Sequence, residues 1–192
     1  MTLDRIKEAS LLLFSKHGFE GTSLHEIATQ VGIKKPSLYT YFSSKDELYL
    51  DLLNDALQTE LGYARQLLER RHGHEGSLQE VLLRYLSHYM ERYEQESSVA
   101  FIIRTCLYPP QHLRAQIHER RTYYMQSLDQ LLFTLFENER SGSLPVPSSA
   151  VEISIAFFRV YLQGLWVELL RSGREYAYAR LQTTWPAVSN TL

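Results

Sequence analysis

An all-α fold is predicted for this chain, on three observations. Nearly every segment repeats apolar residues at helical spacing and almost none alternates. Four Ser-x-x-Glu sequences, starting at Ser23, Ser44, Ser77 and Ser149, have the form of a capping box. In such a box the serine oxygen accepts an orphan backbone N–H while the glutamate reaches back to the serine's own N–H. Glycines stand where helices should stop, at Gly18, Gly32, Gly73 and Gly173.

These signals give about nine helices. The first spans 2–17, with Ile6, Ala9, Leu13 and Phe14 on one face; the second spans 23–31 and the third 35–41. A long fourth helix covers 45–71. Others follow at 77–95, 97–107, 111–138, 149–172 and 174–188, with Pro109–Pro110 breaking the chain after Cys106 and SGSLPVPSS (141–149) forming a loop. A boundary falls naturally in the fourth helix. It divides the 192 residues into a compact three-helix unit, 1–48, and a larger helical domain, 49–192. Three helices in under about 50 residues are marginal alone, so the fourth helix should bind the two parts together.

Composition narrows the function. Apolar content is 44% and formal net charge −2, which suits a globular protein with a true core and argues against a polycation that coats nucleic acid. The charge is nevertheless uneven. All five lysines lie within the first 45 residues, and none of residues 27–45 is acidic. Cys106, the only cysteine, sits in the apolar run VAFIIRTCLY and reads as a packing residue, with no intrachain disulfide possible. The N-terminus has no signal-peptide pattern. No stretch is read as approaching the roughly 18 apolar residues of a membrane span. A cytoplasmic protein with no membrane partner is expected. No metal spacing, nucleophile elbow or phosphate loop is present, so no cofactor, metal or catalytic residue is assigned. His72 and His74, in a turn with acidic neighbours, read as solvated.

The most informative segment is TSLHEIATQVGIKKPSLYTYFSSKDEL, residues 22–48. Two short helical patterns meet at Gly32. Ile27, Ala28 and Val31 brace one of them, and Leu38 and Phe42 the other. At about 100° per residue, Pro36, Ser37, Tyr39 and Thr40 point away from Leu38 and Phe42, with Lys35 and Tyr41 on the flanks. So short, polar and aromatic a helix presents a face outward, as the second helix of a helix-turn-helix does in the major groove. Tyr39 and Tyr41 can donate to phosphate, Ser37 and Thr40 can touch base edges, and Lys35 can donate to guanine. Lys45, at the N-terminus of the fourth helix, is placed to meet a phosphate. Thr22 and Ser23 open the second helix where it would cross the backbone, His25 projects from its first turn, and Lys34 precedes the third. The alternatives are a helical enzyme, or a helix-turn-helix module that binds a protein.

GIKKPSLYTYFSSKDEL, preceded by FSKHGFEGTSLHEIA, closely resembles the DNA-binding domain of the TetR family of bacterial transcriptional regulators, over roughly residues 3–50. The resemblance implies an all-helical homodimer that binds a palindromic operator, with contact positions at His25, Lys35, Ser37, Tyr39, Tyr41 and Lys45. It further implies a ligand-responsive repressor, released by a small-molecule inducer held in the C-terminal domain. Lys34 departs from the family, where a small capping residue is common. The third helix therefore lacks an obvious side-chain cap.

The helix at 149–172 points to a dimer independently. Glu152, Arg159 and Gln163 cluster within roughly 40°, and almost everything else through Val167 is apolar. A helix apolar nearly all round is buried on more than one side. Ile155, Phe158, Leu162, Leu165 and Leu169, with Tyr178 and Leu181 of the next helix, are assigned to the partner interface, and Gly164 allows close approach. The last two helices are where the resemblance also places the dimer contact. The middle helices are rich in aromatics. On the strength of the resemblance, Tyr85, Tyr89, Phe101, Arg104, Tyr123 and Phe133 are the candidate ligand-binding residues, although aromatics at helical spacing equally make an ordinary core.

Overall fold

The computed structural model describes residues 2–69, 76–140 and 148–192. Gly73, His72, His74 and most of the 141–149 loop lie outside them. Among the described residues the fold is all helix. Helices are α1 (Thr2–His17), α2 (Leu24–Val31), α3 (Lys35–Leu38), α4 (Lys45–Glu69), α5 (Leu78–Gln95), α6 (Ser97–Leu107), α7 (Arg114–Arg140), α8 (Ser148–Ser172) and α9 (Arg174–Ser189). A single 3-10 turn, Gln111–Leu113, precedes α7.

The caps explain most boundaries. At Ser23 the box is complete: the Ser23 N–H donates to Glu26 Oε2 (2.7 Å) and the Glu26 N–H to Ser23 Oγ (3.2 Å). Ser77 and Glu80 repeat the arrangement before α5. The box at Ser44 is split. The Glu47 N–H donates to Ser44 Oγ (3.0 Å), but the Glu47 carboxylate turns to Ser43 and takes its backbone N–H (2.6 Å) and its hydroxyl. The box expected at Ser149 does not form, because α8 already begins at Ser148 and Ser149 lies in its first turn.

Gly32 ends α2 at φ +77°, a left-handed conformation that L side chains rarely adopt. Its N–H donates to the Thr29 carbonyl and that of Ile33 to the Ala28 carbonyl, satisfying two orphan acceptors in a Schellman motif.

The chain forms two compact units. The first comprises residues 1–59 and 95–122, so α6, the 3-10 turn and the start of α7 belong with the N-terminal helices. Here α1 packs chiefly against α6 and α2. An aromatic cluster forms the centre: Tyr49 meets Phe14 and Phe101 edge-on, each at 4.9 Å between ring centroids. The Tyr49 hydroxyl shares a 2.7 Å hydrogen bond with Thr105 Oγ1, and Arg104 Nε donates to the Ser15 carbonyl (2.9 Å). Burial pushes the Cys106 thiol up to about 12, so it stays a protonated packing group at neutral pH.

The second unit comprises residues 60–94 and 123–192. Its core includes Leu82, Tyr85, Leu86, Tyr89, Tyr124, Leu128, Leu132, Phe136, Phe158, Leu162, Trp166 and Leu181, all buried. Arg92 Nη1 donates to Glu60 Oε2 at 2.8 Å inside this core, with its guanidinium 3.6 Å over the Tyr63 ring.

α8 corrects the reading that no segment has the composition of a membrane span. By length and composition Ser149–Ser172 passes, with a mean hydropathy of 1.4, and 39% of that stretch is buried within the protein. The reason is two apolar faces on one helix.

Candidate nucleic-acid interface

The exposed face is built on two anchors. Leu38 and Phe42 are buried beside Ile27, Ala28 and Val31, and that apolar brace fixes α3 against α2. α3 is a single turn. Lys34 precedes it in an extended conformation with no side-chain cap, and Pro36 occupies the first turn, where its missing N–H is no loss. The helix expected to reach 41 stops at Leu38. Beyond that residue the amide bonds tighten, Tyr39 N–H donating to the Pro36 carbonyl and Tyr41 N–H to that of Leu38.

The consequence is a continuous polar and aromatic surface. Lys34, Lys35, Pro36, Ser37, Tyr39, Thr40 and Tyr41 are all exposed, Tyr39 by half its surface. His25 and Ser23 are exposed on α2. The Thr40 hydroxyl donates to the Ser37 carbonyl at 2.7 Å, which leaves its methyl and lone pairs for an outside partner. Glu26, nearby, is held below the usual carboxylate range by its hydrogen bonds to the Ser23 side chain and backbone.

Two residues are placed differently from expectation. Thr22 is buried and its hydroxyl donates to the Gly18 carbonyl (2.9 Å), so its side chain faces inward. Lys45 is a clamp: Nζ donates to the carbonyls of Phe19 (2.8 Å) and Thr22 (2.9 Å) and lies 3.8 Å over the Phe19 ring. The ammonium thus fastens the start of α4 to the turn that leads into α2. Lys45→Met should lower stability by about 1–2 kcal/mol, since charge-assisted bonds are lost. Thermal unfolding read by circular dichroism measures it, and an unchanged midpoint would refute the clamp.

His112, which the sequence gave no reason to single out, belongs to this neighbourhood. Its Nε2 is 3.2 Å from Asp46 Oδ1 and its ring is 5.1 Å from that of Phe19. It lies 66 positions from Asp46, so no local pattern could have found it.

The six candidate ligand residues are not brought together. Phe101 and Arg104 lie in the first unit, one packed on Phe14 and Tyr49, the other bonded to Ser15. Tyr85 and Tyr89 are buried neighbours in the second unit, with ring centroids 6.3 Å apart. Tyr123 and Phe133 are exposed on α7. Among the described residues no group of three or more His, Cys, Asp or Glu side chains is arranged to hold a metal ion.

The interface assignment also needs correction. Ile155, Phe158, Leu162, Leu165, Leu169 and Leu181 are buried within the second unit itself; of the seven residues, only Tyr178 is exposed. The apolar residues that α8 leaves exposed are Ile153 (69%), Phe157, Val160 (70%) and Val167. With Ala156 and Gly164 they fill an arc of about 100°, on the opposite side of the helix from Phe158 and Leu162.

Comparison with known proteins agrees with this geometry. Residues 6–52 match the family described as bacterial regulatory proteins, tetR family. The chain is 32% identical over 93 residues to the biofilm operon icaADBC HTH-type negative transcriptional regulator IcaR of Staphylococcus epidermidis, a match covering 47% of this chain and 48% of that protein. The chain therefore spans about half the length of that relative. Among solved structures, Salmonella enterica GusR superposes with a TM-score of 0.74 at 18% identity, covering 100% of this chain and 95% of the other. The transcriptional regulator FadR from Bacillus subtilis, in complex with stearoyl-CoA, gives 0.71 at 14%, covering 99% of each. At these identities the structures establish likeness of fold.

Proposed function

We propose, from the premise that the chain belongs to the tetR family of bacterial regulatory proteins through residues 6–52, that it is a ligand-responsive transcriptional repressor. It binds a palindromic operator as a homodimer in the cytoplasm and is released by a small-molecule inducer. The observation that carries this reading is the exposed row of Lys35, Ser37, Tyr39 and Tyr41 on the buried pair Leu38 and Phe42. A rigid base with outward donors is what reading base edges and phosphates requires. The named relative from Staphylococcus epidermidis is itself a negative transcriptional regulator.

The exposed stripe of α8 supports the dimer. Ile153, Phe157, Val160 and Val167 are too large and too contiguous an apolar face to leave in water. Gly164 lies on the same stripe, and a Cβ there would meet nothing within its own chain, so a partner helix can approach closely. Val160→Glu should convert the dimer to monomer and weaken operator binding, because a palindrome needs both subunits at once. Sedimentation velocity gives the mass, and a variant that stays dimeric would move the interface elsewhere.

The response is carried by helices that both units share. Lys45–Thr59 of α4 lies in the first unit and the helix continues into the second from Glu60. Two recognition surfaces must stand about 34–36 Å apart to enter successive major grooves. An inducer that prefers another setting of α4 lowers operator affinity by its differential binding. The test is a mobility shift on DNA upstream of the gene, at two salt concentrations, with footprinting to locate the site. Sequence-dependent, salt-sensitive binding is expected; a shift indifferent to sequence would overturn the reading.

A further inference from the structure

The core of the second unit holds polar atoms that its own hydrogen bonds do not use. The hydroxyls of Tyr85 and Tyr124 and Nε1 of Trp166 make no hydrogen bond, although all three side chains are almost wholly buried. They come from α5, α7 and α8. The two phenols lie close enough to influence each other's ionisation without meeting hydrogen-bond geometry. The Tyr89 ring stacks on Trp166 at 5.8 Å and lies 6.3 Å from that of Tyr85, so the cluster is contiguous. Protein interiors pair nearly all such groups. Phenylalanine would pack in the same space with no hydroxyl left over, so tyrosine at both positions makes sense where a guest's atoms complete the bonds.

The neighbours define the guest's charge. Arg92, the cation of this core, is engaged by the Glu60 carboxylate at 2.8 Å and by the Tyr63 ring. Burial, and then the Glu60 charge, push the Tyr85 hydroxyl well above its ordinary range, and Tyr124 is raised in the same way by burial, its tyrosine neighbours and Glu60. The potential at the hydroxyls is therefore negative, and an anion brought there would face a carboxylate whose arginine is already committed. Trp166 Nε1–H can only donate, so the guest must carry an acceptor. The surrounding rings favour a flat or cyclic body.

We propose that Tyr85, Tyr124 and Trp166 form the effector site, and that the effector is an uncharged, ring-containing molecule whose carbonyl or ether oxygen accepts from these three groups. This rests on the reading of the chain as a ligand-responsive regulator.

The test is calorimetric titration of the full chain with coumarin, flavone and progesterone, which are neutral carbonyl compounds of increasing size. Octanoate and stearoyl-CoA serve as the anionic counterparts. At least one neutral compound should bind. In the double variant Tyr85→Phe, Tyr124→Phe its affinity should fall at least tenfold while the melting temperature of the unliganded protein holds or rises; Trp166→Phe should weaken it as well. Binding of the anions alone, binding of none of the five, or unchanged affinity in the double variant would overturn the proposal. So would a lower melting temperature, because the hydroxyls would then serve the fold. Operator mobility shifts separate the two readings. A neutral compound bound through the hydroxyls that leaves operator affinity unchanged upholds the site and removes the inducer role. Intact operator binding without any neutral ligand overturns the site and leaves the DNA reader standing.

Discussion

Lys35→Ala together with Tyr39→Ala should reduce operator affinity by roughly a hundredfold or more, while helical content, melting temperature and dimer mass stay at the wild-type values. Both side chains are exposed and neither supports the core, so their removal leaves Leu38 and Phe42 in place. The two contributions separate by salt dependence. A lysine that meets a phosphate releases a counterion, so its loss should flatten the salt slope by about one unit. A tyrosine ring packed on sugar or a thymine methyl should change affinity with little change in slope. Fluorescence anisotropy on a footprinted operator, at several salt concentrations, measures both. Wild-type affinity in the double variant would mean that another surface reads the DNA. Lys45 is deliberately left out of this pair. Its ammonium holds the Phe19 and Thr22 carbonyls, so a loss of binding in a Lys45 variant would mix contact with folding.

Arg92→Ala should have the largest effect on stability, about 3–5 kcal/mol. The Glu60 carboxylate is only 1% exposed and receives Arg92 Nη1 at 2.8 Å. Without the guanidinium, a charge is left in a low-dielectric core, and the stacking on Tyr63 goes with it. For a chain of this size the expected fall in melting temperature is roughly 10 °C. The contrasting variant, Glu60→Leu with Arg92→Met, removes both charges and keeps the volume. It should recover most of the loss, because an apolar pair escapes the desolvation that the ion pair must offset. If the double substitution melts as low as the single one, the pair is doing more than neutralising itself.

The reading face was legible because its cues are local. A four-residue cap signal, a glycine needing positive φ, and the angular separation of Leu38 and Phe42 from Lys35 and Tyr39 all operate within a few residues. Helix ends followed for the same reason. What escaped depends on distance along the chain. Lys45 finds its carbonyl partners 26 and 23 residues away, and Asp46 finds His112 across 66. Phe101 and Arg104 were grouped with the later aromatics because α6 looks like any apolar helix; only its packing on α1 places it in the first unit. α8 shows a subtler limit. Periodicity showed two apolar sides separated by Glu152, Arg159 and Gln163, but Ile155–Phe158–Leu162 and Ile153–Phe157–Val160 are equally hydrophobic. Which side the chain covers itself is decided by tertiary packing, and it covers the first.

The membership of α6 in the first unit bears on how such a protein can be re-engineered or rebuilt by recombination. A transplant that cuts after residue 48 discards Tyr49, Phe101 and Thr105 and strips Phe14 of two ring neighbours. The donor of the new C-terminal half must therefore bring its own mate for α1, matched in shape to a surface it never evolved beside. Swapping sensors between regulators of this build is a problem of fitting two halves of one hydrophobic joint, and the productive crossovers should be those that carry residues 95–122 along with the headpiece.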